Sequence, residues 1–336
     1  MFKYATLASQ LSRLVGLAVL AASWMLTGCS STPTQVNTDP STDPERSVIS
    51  EVEVVAPAPQ TVERRQAKCG HTMARGPSSD AVFAVVDAER SFCRDAASMG
   101  VTEAFLKHFS EEGVLFRPDP VLARPWLEAA LAQPSPEGTS PSYLYWQPQA
   151  AAVSWEGDIG VTWGPWQLES DGTTANYGTY LTVWGRDDAG RLEVLIDHGV
   201  SAGVFQWDVY PQALPMGEAA PDGGPLHPAL AEIDQRFAAD LSDGADAAYG
   251  QWLVYGAKVM RDGGVPLSGP FGAQLETAEQ WHIDGSVVAR SSDLGYVWGR
   301  GRDGEGAWTH QFLRVYQRRE GGEWGLLADL VTRRGS

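Results

Sequence analysis

At 336 residues the chain has room for about two domains, and its 43% hydrophobic content excludes a long disordered polymer. Its 42 acidic and 25 basic side chains give a formal net charge of −17, which removes any electrostatic reason to hold nucleic acid or an anionic lipid face. Three cysteines, with no Cys-x-x-Cys and no His-x-x-x-His spacing, exclude a small disulfide scaffold and a zinc site, and no cofactor is expected.

The N-terminus reads as an address. Lys3 and Arg13 flank or precede an apolar run from Leu14 to Leu26, whose 13 residues suit a signal-peptide core and fall short of the ~20 that span a bilayer. The run ends in Leu26-Thr27-Gly28-Cys29, which resembles the lipobox of bacterial lipoproteins. The resemblance implies removal of residues 1–28, acylation of Cys29 (palmitate among the chains) and attachment to a membrane through that lipid. Ser30, where an Asp would imply inner-membrane retention, implies the outer membrane facing the periplasm. Cleavage removes Lys3 and Arg13 and no acid, so 23 basic residues then face 42 acidic ones and the net charge becomes −19. Residues 29–78 are expected to be a flexible tether, rich in turn formers such as Ser30–Thr34 and Asp39–Pro44. Val52–Val55 is a candidate short strand, stopped by Pro57 and Pro59.

The remainder contains a diverged repeat. Asp158–Gly164 (Asp-Ile-Gly-Val-Thr-Trp-Gly) matches Asp293–Gly299 (Asp-Leu-Gly-Tyr-Val-Trp-Gly) at four of seven positions, and the same 135-residue offset pairs Trp146 with Trp281. An offset of 132 pairs Val183 with Val315 and Asp197 with Asp329, and one of 144 pairs Phe105 with Tyr249. Drift confined to turns is what a duplicated domain acquires. The predicted domains are residues 79–205 and 228–336, joined by a linker at 206–227.

In each copy helices come first. Val85, Ala88, Phe92 and Ala96 form one face of a helix starting near Ser79 or Asp80, and Leu230, Ile233, Phe237 and Leu241 repeat that stripe. Second helices are predicted over Thr102–Phe109 and Asp246–Tyr255, and a third, in the first copy, over Pro125–Leu131. Strands follow. Tyr177–Trp184 and Trp308–Tyr316 alternate, with Leu181 and Val183 (Leu313 and Val315) on one face and Tyr180 and Trp184 (Phe312 and Tyr316) on the other. The predicted class is α+β: two tandem units, each with helices packed on a curved antiparallel sheet. Gly299–Gly304 spells G-x-G-x-x-G, but Ala307-Trp308-Thr309 leads into a strand and not a helix, so a hairpin loop is expected there.

This order resembles the nuclear transport factor 2-like superfamily, with its ketosteroid-isomerase-like and SnoaL-like members. Its motifs here are Asp158–Gly164, Val183-Trp184-Gly185-Arg186 and Leu195-Ile196-Asp197, and more loosely Val315–Arg318 and Leu327-Ala328-Asp329. The resemblance implies a cone enclosing a pocket, in which isomerases place a carboxylate base opposite a tyrosine donor. The first helix carries no tyrosine in either copy, which departs from the isomerase pattern.

The candidate catalytic residues are therefore Asp197 and Asp329, expected on the face of Leu195 and Leu327, and His282 with His310, which could line one pocket with Arg314. His198 must point away from Asp197. Trp126, Tyr145, Trp163, Tyr180, Trp298 and Arg314 are the candidate ligand-binding residues. The aromatic sheet faces either fill these pockets or meet across an intrachain pseudo-dimer. An oxidising envelope compartment favours a Cys69–Cys93 disulfide, the alternative being two free thiols. Three functions fit: a module binding a small apolar ligand or an envelope protein, an isomerase, cyclase or hydrolase-type enzyme, and a structural part of an envelope assembly. The repeats keep their aspartates and differ at most other polar strand positions, which favours binding.

Overall fold

The computed structural model describes residues 61–69, 80–133, 141–170, 173–203, 211–219, 229–268 and 278–334. The leader, Cys29 and Val52–Val55 lie outside the described residues. Among the described residues no helix is long and apolar enough to cross a membrane.

A short helix α1 (Val62–Ala67) comes first, its N-terminus capped by Thr61, whose Oγ1 accepts from Arg64 N at 3.4 Å. Helix α2 (Asp80–Met99) buries Val85, Phe92 and Ala96 as the stripe predicts. It ends at Gly100, whose φ of 109° lies where a side chain would be strained, so the chain turns sharply into α3 (Val101–His108). Strands β1 (Phe109–Phe116) and β2 (Pro120–Leu122) precede helix α4 (Ala123–Leu131). Then come β3 (Ser142–Trp146), β4 (Ala150–Val153), β5 (Ile159–Ser170), β6 (Thr173–Arg186), β7 (Leu192–Ser201) and the two-residue β8 (Gln212–Ala213). The second unit has α5 (Leu230–Asp243), α6 (Ala245–Trp252), β9 (Leu253–Arg261), β10 (Gln280–Val288), β11 (Leu294–Arg302), β12 (Trp308–Arg318) and β13 (Trp324–Arg333). Its second helix stops three residues short of the predicted Tyr255, because Leu253 already pairs with Leu326 as part of β9; Tyr255 is exposed.

Both units have one topology. The first sheet runs β2-β1-β7-β6-β5-β4-β8 with β3 also on β5, and the second runs β10-β11-β12-β13-β9. In each, the strand after the helices lies parallel to the last strand, and every later hairpin is antiparallel. Gly299 and Gly301 belong to β11, and the turn that follows is closed by the Asp303 carboxylate accepting from Glu305 N and Ala307 N.

Three apolar layers stack. Helix α2 and its neighbours cover one face of the first sheet with Phe92, Phe105, Trp146 and Trp184, while Phe237, Tyr249, Phe312 and Tyr316 do the same in the second unit. Between them the two sheets share one core, in which Trp163, Leu181, Val183 and Ile196 meet Tyr296, Leu313, Val315 and Ala328. The repeat motif supplies a reciprocal contact at its edge. Asp158 Oδ2 accepts from Arg290 N at 2.9 Å, and Asp293 Oδ2 accepts from Trp155 N at 3.1 Å, so each unit's aspartate caps the other's hairpin. His198 is buried in the same layer, stacked on Phe116 at 3.8 Å, and on the opposite face from Asp197.

Two connecting segments differ from expectation. The predicted tether is already docked from residue 61: Arg65 Nε donates to Ala97 O at 3.0 Å, Lys68 pairs with Glu169, and Cys69 is joined to Cys93. The predicted linker is pinned where described, because β8 pairs with β4 and Trp155 Nε1 donates to Gly217 O. Both segments gain fixed partners for their backbone, which composition alone does not show.

Candidate functional site

The site begins with phase. Strict alternation along β7 would put Asp197 with Leu195, but a bulge lies there: Ile196 opposes Val183 while Val194 opposes Trp184, leaving Leu195 unpaired. Asp197 therefore joins Val194 and Trp184 on the helix-covered face, and Leu195 packs into the layer between the sheets. The second unit repeats the device at Leu327, with Ala328 opposite Val315 and Leu326 opposite Tyr316. Both aspartates thus lie within their last strands and under the helices.

In the first unit three residues stand in one cross-strand row: Thr162 on β5, Thr182 on β6 and Asp197 on β7. Helix α2 lowers Glu89 onto this row. Its carboxylate is fully buried and accepts from Trp146 Nε1 (2.5 Å), Thr162 Oγ1 (2.5 Å) and Trp184 Nε1 (2.9 Å). Thr182 Oγ1 donates to Asp197 Oδ1 at 2.8 Å. Unlike Glu89, Asp197 is only half-buried, although it sits mid-strand on the covered face, so solvent reaches the concave surface there. Around it are the exposed Arg117, whose guanidinium lies 5.3 Å from the half-buried Trp126 ring, and Tyr180.

Among the described residues no cation is bonded to either carboxylate, and burial governs both. Burial pushes Glu89 up to about 7, against the pull of its hydrogen bonds. It pushes Asp197 up to about 6, with Thr182 and the field of Arg117 pulling back. The pH dependence follows. An unfolded Glu89 loses its proton near 4.5 while the folded one holds it to about 7, so stability is greatest below that window and falls as pH rises through it. The fall for Glu89 is on the order of 3 kcal/mol. Urea denaturation between pH 4.5 and 8 should show this slope in the wild type and lose most of it in Glu89→Gln; identical slopes in the two proteins would contradict the assignment.

The second unit fills the same space. Arg314 replaces Thr182 at the 132-residue offset, and Asp234 replaces Glu89. Arg314 donates from Nε to Asp329 Oδ1 (3.0 Å) and from Nη1 to Asp234 Oδ1 and Oδ2 (3.1 and 3.2 Å). Tyr249 Oη (2.5 Å) and Arg261 Nη2 (2.6 Å) complete Asp329, and Tyr316 Oη (2.8 Å) binds Asp234. Arg314, Asp234, Asp329 and Tyr249 are all fully buried, and the guanidinium lies 4.4 Å from both the Trp281 and Phe312 rings. Burial alone would raise the Asp329 carboxyl, but Arg261, Arg314 and the Tyr249 hydroxyl outweigh it and bring it down to about 2. This interior is a closed ion cluster.

The remaining predicted residues separate. Trp163 and Trp298 face the layer between the sheets and do not line either concave surface. Tyr145 is fully buried in the first helix-side core, with Lys68 4.7 Å above its ring. Tyr180 and Trp126 are on the concave side with Asp197. His282 and His310 do not share a pocket: His282 is in the row of Arg300 and Gln311, and His310 in the adjacent row of Trp281 and Gly301, so they point to opposite faces. His282 is exposed beside Asp284, and His310 is half-buried on the same face of β12 as Arg314, the Trp281 ring lying against both. Among the described residues no cluster of His, Cys, Asp or Glu could hold a metal ion. Glu89 and Asp234 were not singled out by sequence reasoning. Their signal was an acid four residues after Val85 and Leu230, on the apolar stripe, at the same place in both copies.

No family model and no curated protein matches the sequence. Solved structures that resemble part of it include an NTF2-like protein with a cystatin-like fold from Novosphingobium aromaticivorans, at 14% identity and a TM-score of 0.29, covering 34% of this chain and 78% of that one. An NTF2-like superfamily protein from Salmonella enterica matches at 13% identity and a TM-score of 0.28, covering 36% and 90%. An LEH-like epoxide hydrolase from Mycobacterium tuberculosis matches at 13% and 0.26, covering 37% and 81%. The likeness of each is to the helix-on-curved-sheet fold and no further.

Proposed function

We propose that this chain is a lipid-anchored envelope protein whose first unit binds a small molecule on its concave face, with the second unit as a filled, structural counterpart in an internal pseudo-dimer. One comparison carries the reading: at equivalent positions Thr182 leaves Asp197 within reach of solvent, whereas Arg314 seals Asp329. Half-buried aromatic surface beside a few convergent polar groups is the usual composition of a ligand site. The test is native mass spectrometry of the whole mature chain, exported behind a cleavable secretory leader so that it carries no lipid. A stoichiometric extra mass is expected, and Thr182→Arg, which transplants the second unit's plug, should remove it while leaving the far-UV circular dichroism intact. A wild-type chain without added mass, or a variant that retains it, would sink the reading.

An acid–base enzyme is the second reading, favoured by Asp197, whose carboxyl burial pushes up to about 6 beside a hydroxyl donor. Asp197→Asn separates the two: an enzyme keeps its bound compound and stops converting it, whereas a binding module shows no conversion in either form. Anchoring rests on the lipobox-like Leu26–Cys29 segment. Radiolabelled palmitate should enter the wild type and not Cys29→Ala, and sucrose-gradient fractionation should place the protein with the outer membrane.

A further inference from the structure

Beside Glu89 on α2 stands a cation that nothing in the fold explains. Arg90 is 2% exposed, yet its Nε and Nη1 have no hydrogen-bond partner. Asp87, on the same helix, is the acid whose field supports it, and among the described residues no carboxylate is bonded to its Nε or Nη1. A guanidinium can present a fork of donors to one planar acceptor, and burying that fork empty is costly. Tyr180 lies within the electrostatic reach of Arg90, and its hydroxyl, at a residue only 5% exposed, makes no close hydrogen bond, although Thr162 lies near it. Tyr180 in turn feels the charges of Glu89 and Asp197, so the two orphaned donors belong to the concave face on which Asp197 opens.

The second unit isolates what is special here. At the equivalent positions it has Gln235, which is exposed, and Phe312, which is buried. It therefore has neither of those two side chains; its own buried guanidinium, Arg314, leaves Nη2 unpaired but is ion-paired to Asp234 and Asp329, whereas Arg90 has no such partner among the described residues. The first unit has the opposite arrangement: two carboxylates served by neutral donors, and a separate cation and hydroxyl left open. Half-buried Trp126 and Trp166 pack against the same core and offer flat apolar surface.

Resting on the pocket reading above, we infer that the first unit selects molecules that carry an anionic group, a carboxylate or sulfonate, on an apolar or aromatic body. The Arg90 fork and the Tyr180 hydroxyl receive the anion, and the indoles receive the body. The chain's overall negative charge opposes anions at long range, so the preference is local to this donor pair.

Two fluorescent probes of one aromatic skeleton test this: 1-anilinonaphthalene-8-sulfonate, which carries a sulfonate, and N-phenyl-1-naphthylamine, which does not. Titrated into the unlipidated mature chain, the sulfonate should bind at least about tenfold more tightly than the neutral probe, as expected for hydrogen bonds to a charged group. Arg90→Gln should abolish that preference and leave the neutral probe's affinity unchanged. Arg90→Lys should restore part of it, and Tyr180→Phe should reduce it a few-fold, so the inference stays testable where one variant folds poorly. Equal affinities in the wild type, or an equal loss of both probes in Arg90→Gln and Tyr180→Phe, would overturn it. Neutral-probe binding without a sulfonate preference removes the anion site and leaves the pocket standing. Binding of neither probe removes both.

Discussion

Arg314→Met should destabilise the protein by about 3–5 kcal/mol at pH 7, the largest effect expected of any single substitution here. The guanidinium holds Asp234 and Asp329 together inside a fully buried cluster. Removing it does not affect the two acids equally. Asp329 keeps Arg261 Nη2 and the Tyr249 hydroxyl, while Asp234 is left with the Tyr316 hydroxyl. The loss therefore arises chiefly from one stranded carboxylate at Asp234. Adding Asp234→Leu to Arg314→Met should recover a large part of it, and a double-mutant cycle in urea would measure the coupling. In the wild type Asp329, depressed to about 2, contributes stability that is present above its ordinary 3.8 and lost as pH falls between those values. A cost below about 1 kcal/mol for Arg314→Met, within the range of a surface pair, would refute the cluster's role.

Replacing both Cys69 and Cys93 with alanine should cost about 3.5 kcal/mol, the loop-closure entropy of a bridge of this span in the chain-entropy model. The two cysteines are 24 residues apart in sequence, 5.6 Å apart at Cα and fully buried. The bond joins the segment carrying α1 to the middle of α2. Around it Arg65 Nε reaches Ala97 O, the Arg65 guanidinium lies 4.5 Å from the Tyr143 ring, and Lys68 reaches Glu169. These contacts are partly exposed and worth little singly, so the covalent link sets the energy. The double variant should become sensitive to trypsin at Arg64, Arg65 and Lys68, while the oxidised wild type resists. A wild type whose unreduced mass is not two hydrogens lighter than its reduced mass, or equal proteolysis of the two proteins, would overturn the assignment. The bridge also locates the end of the tether: the chain becomes fixed to the first unit at α1, before the residue at which composition alone would start the domain.

Much of this architecture is legible in the sequence because its signals are local. The stripe Leu230, Ile233, Phe237 and Leu241 recurs with a helix's period and is buried as a set, and Tyr180 with Trp184 alternates against Leu181 with Val183 on opposite faces of β6. The repeat was legible for the same reason, since turns absorb insertions and strands do not. What tertiary structure decided are matters of phase and partnership. The bulges at Leu195 and Leu327 shift the alternation by one residue, and periodicity cannot anticipate an unpaired residue. His282 and His310, similar as letters, are set on opposite faces by the register of β10, β11 and β12. Above all, a single difference between the copies, Thr182 against Arg314, is unremarkable along the chain and decisive in space. Only once α2 and α5 lower Glu89 and Asp234 onto those sheets does one interior hold an ion cluster and the other an Asp197 within reach of solvent. Sequence determines which groups each unit carries; burial, which makes the charge of each group depend on its neighbours, determines what they can do.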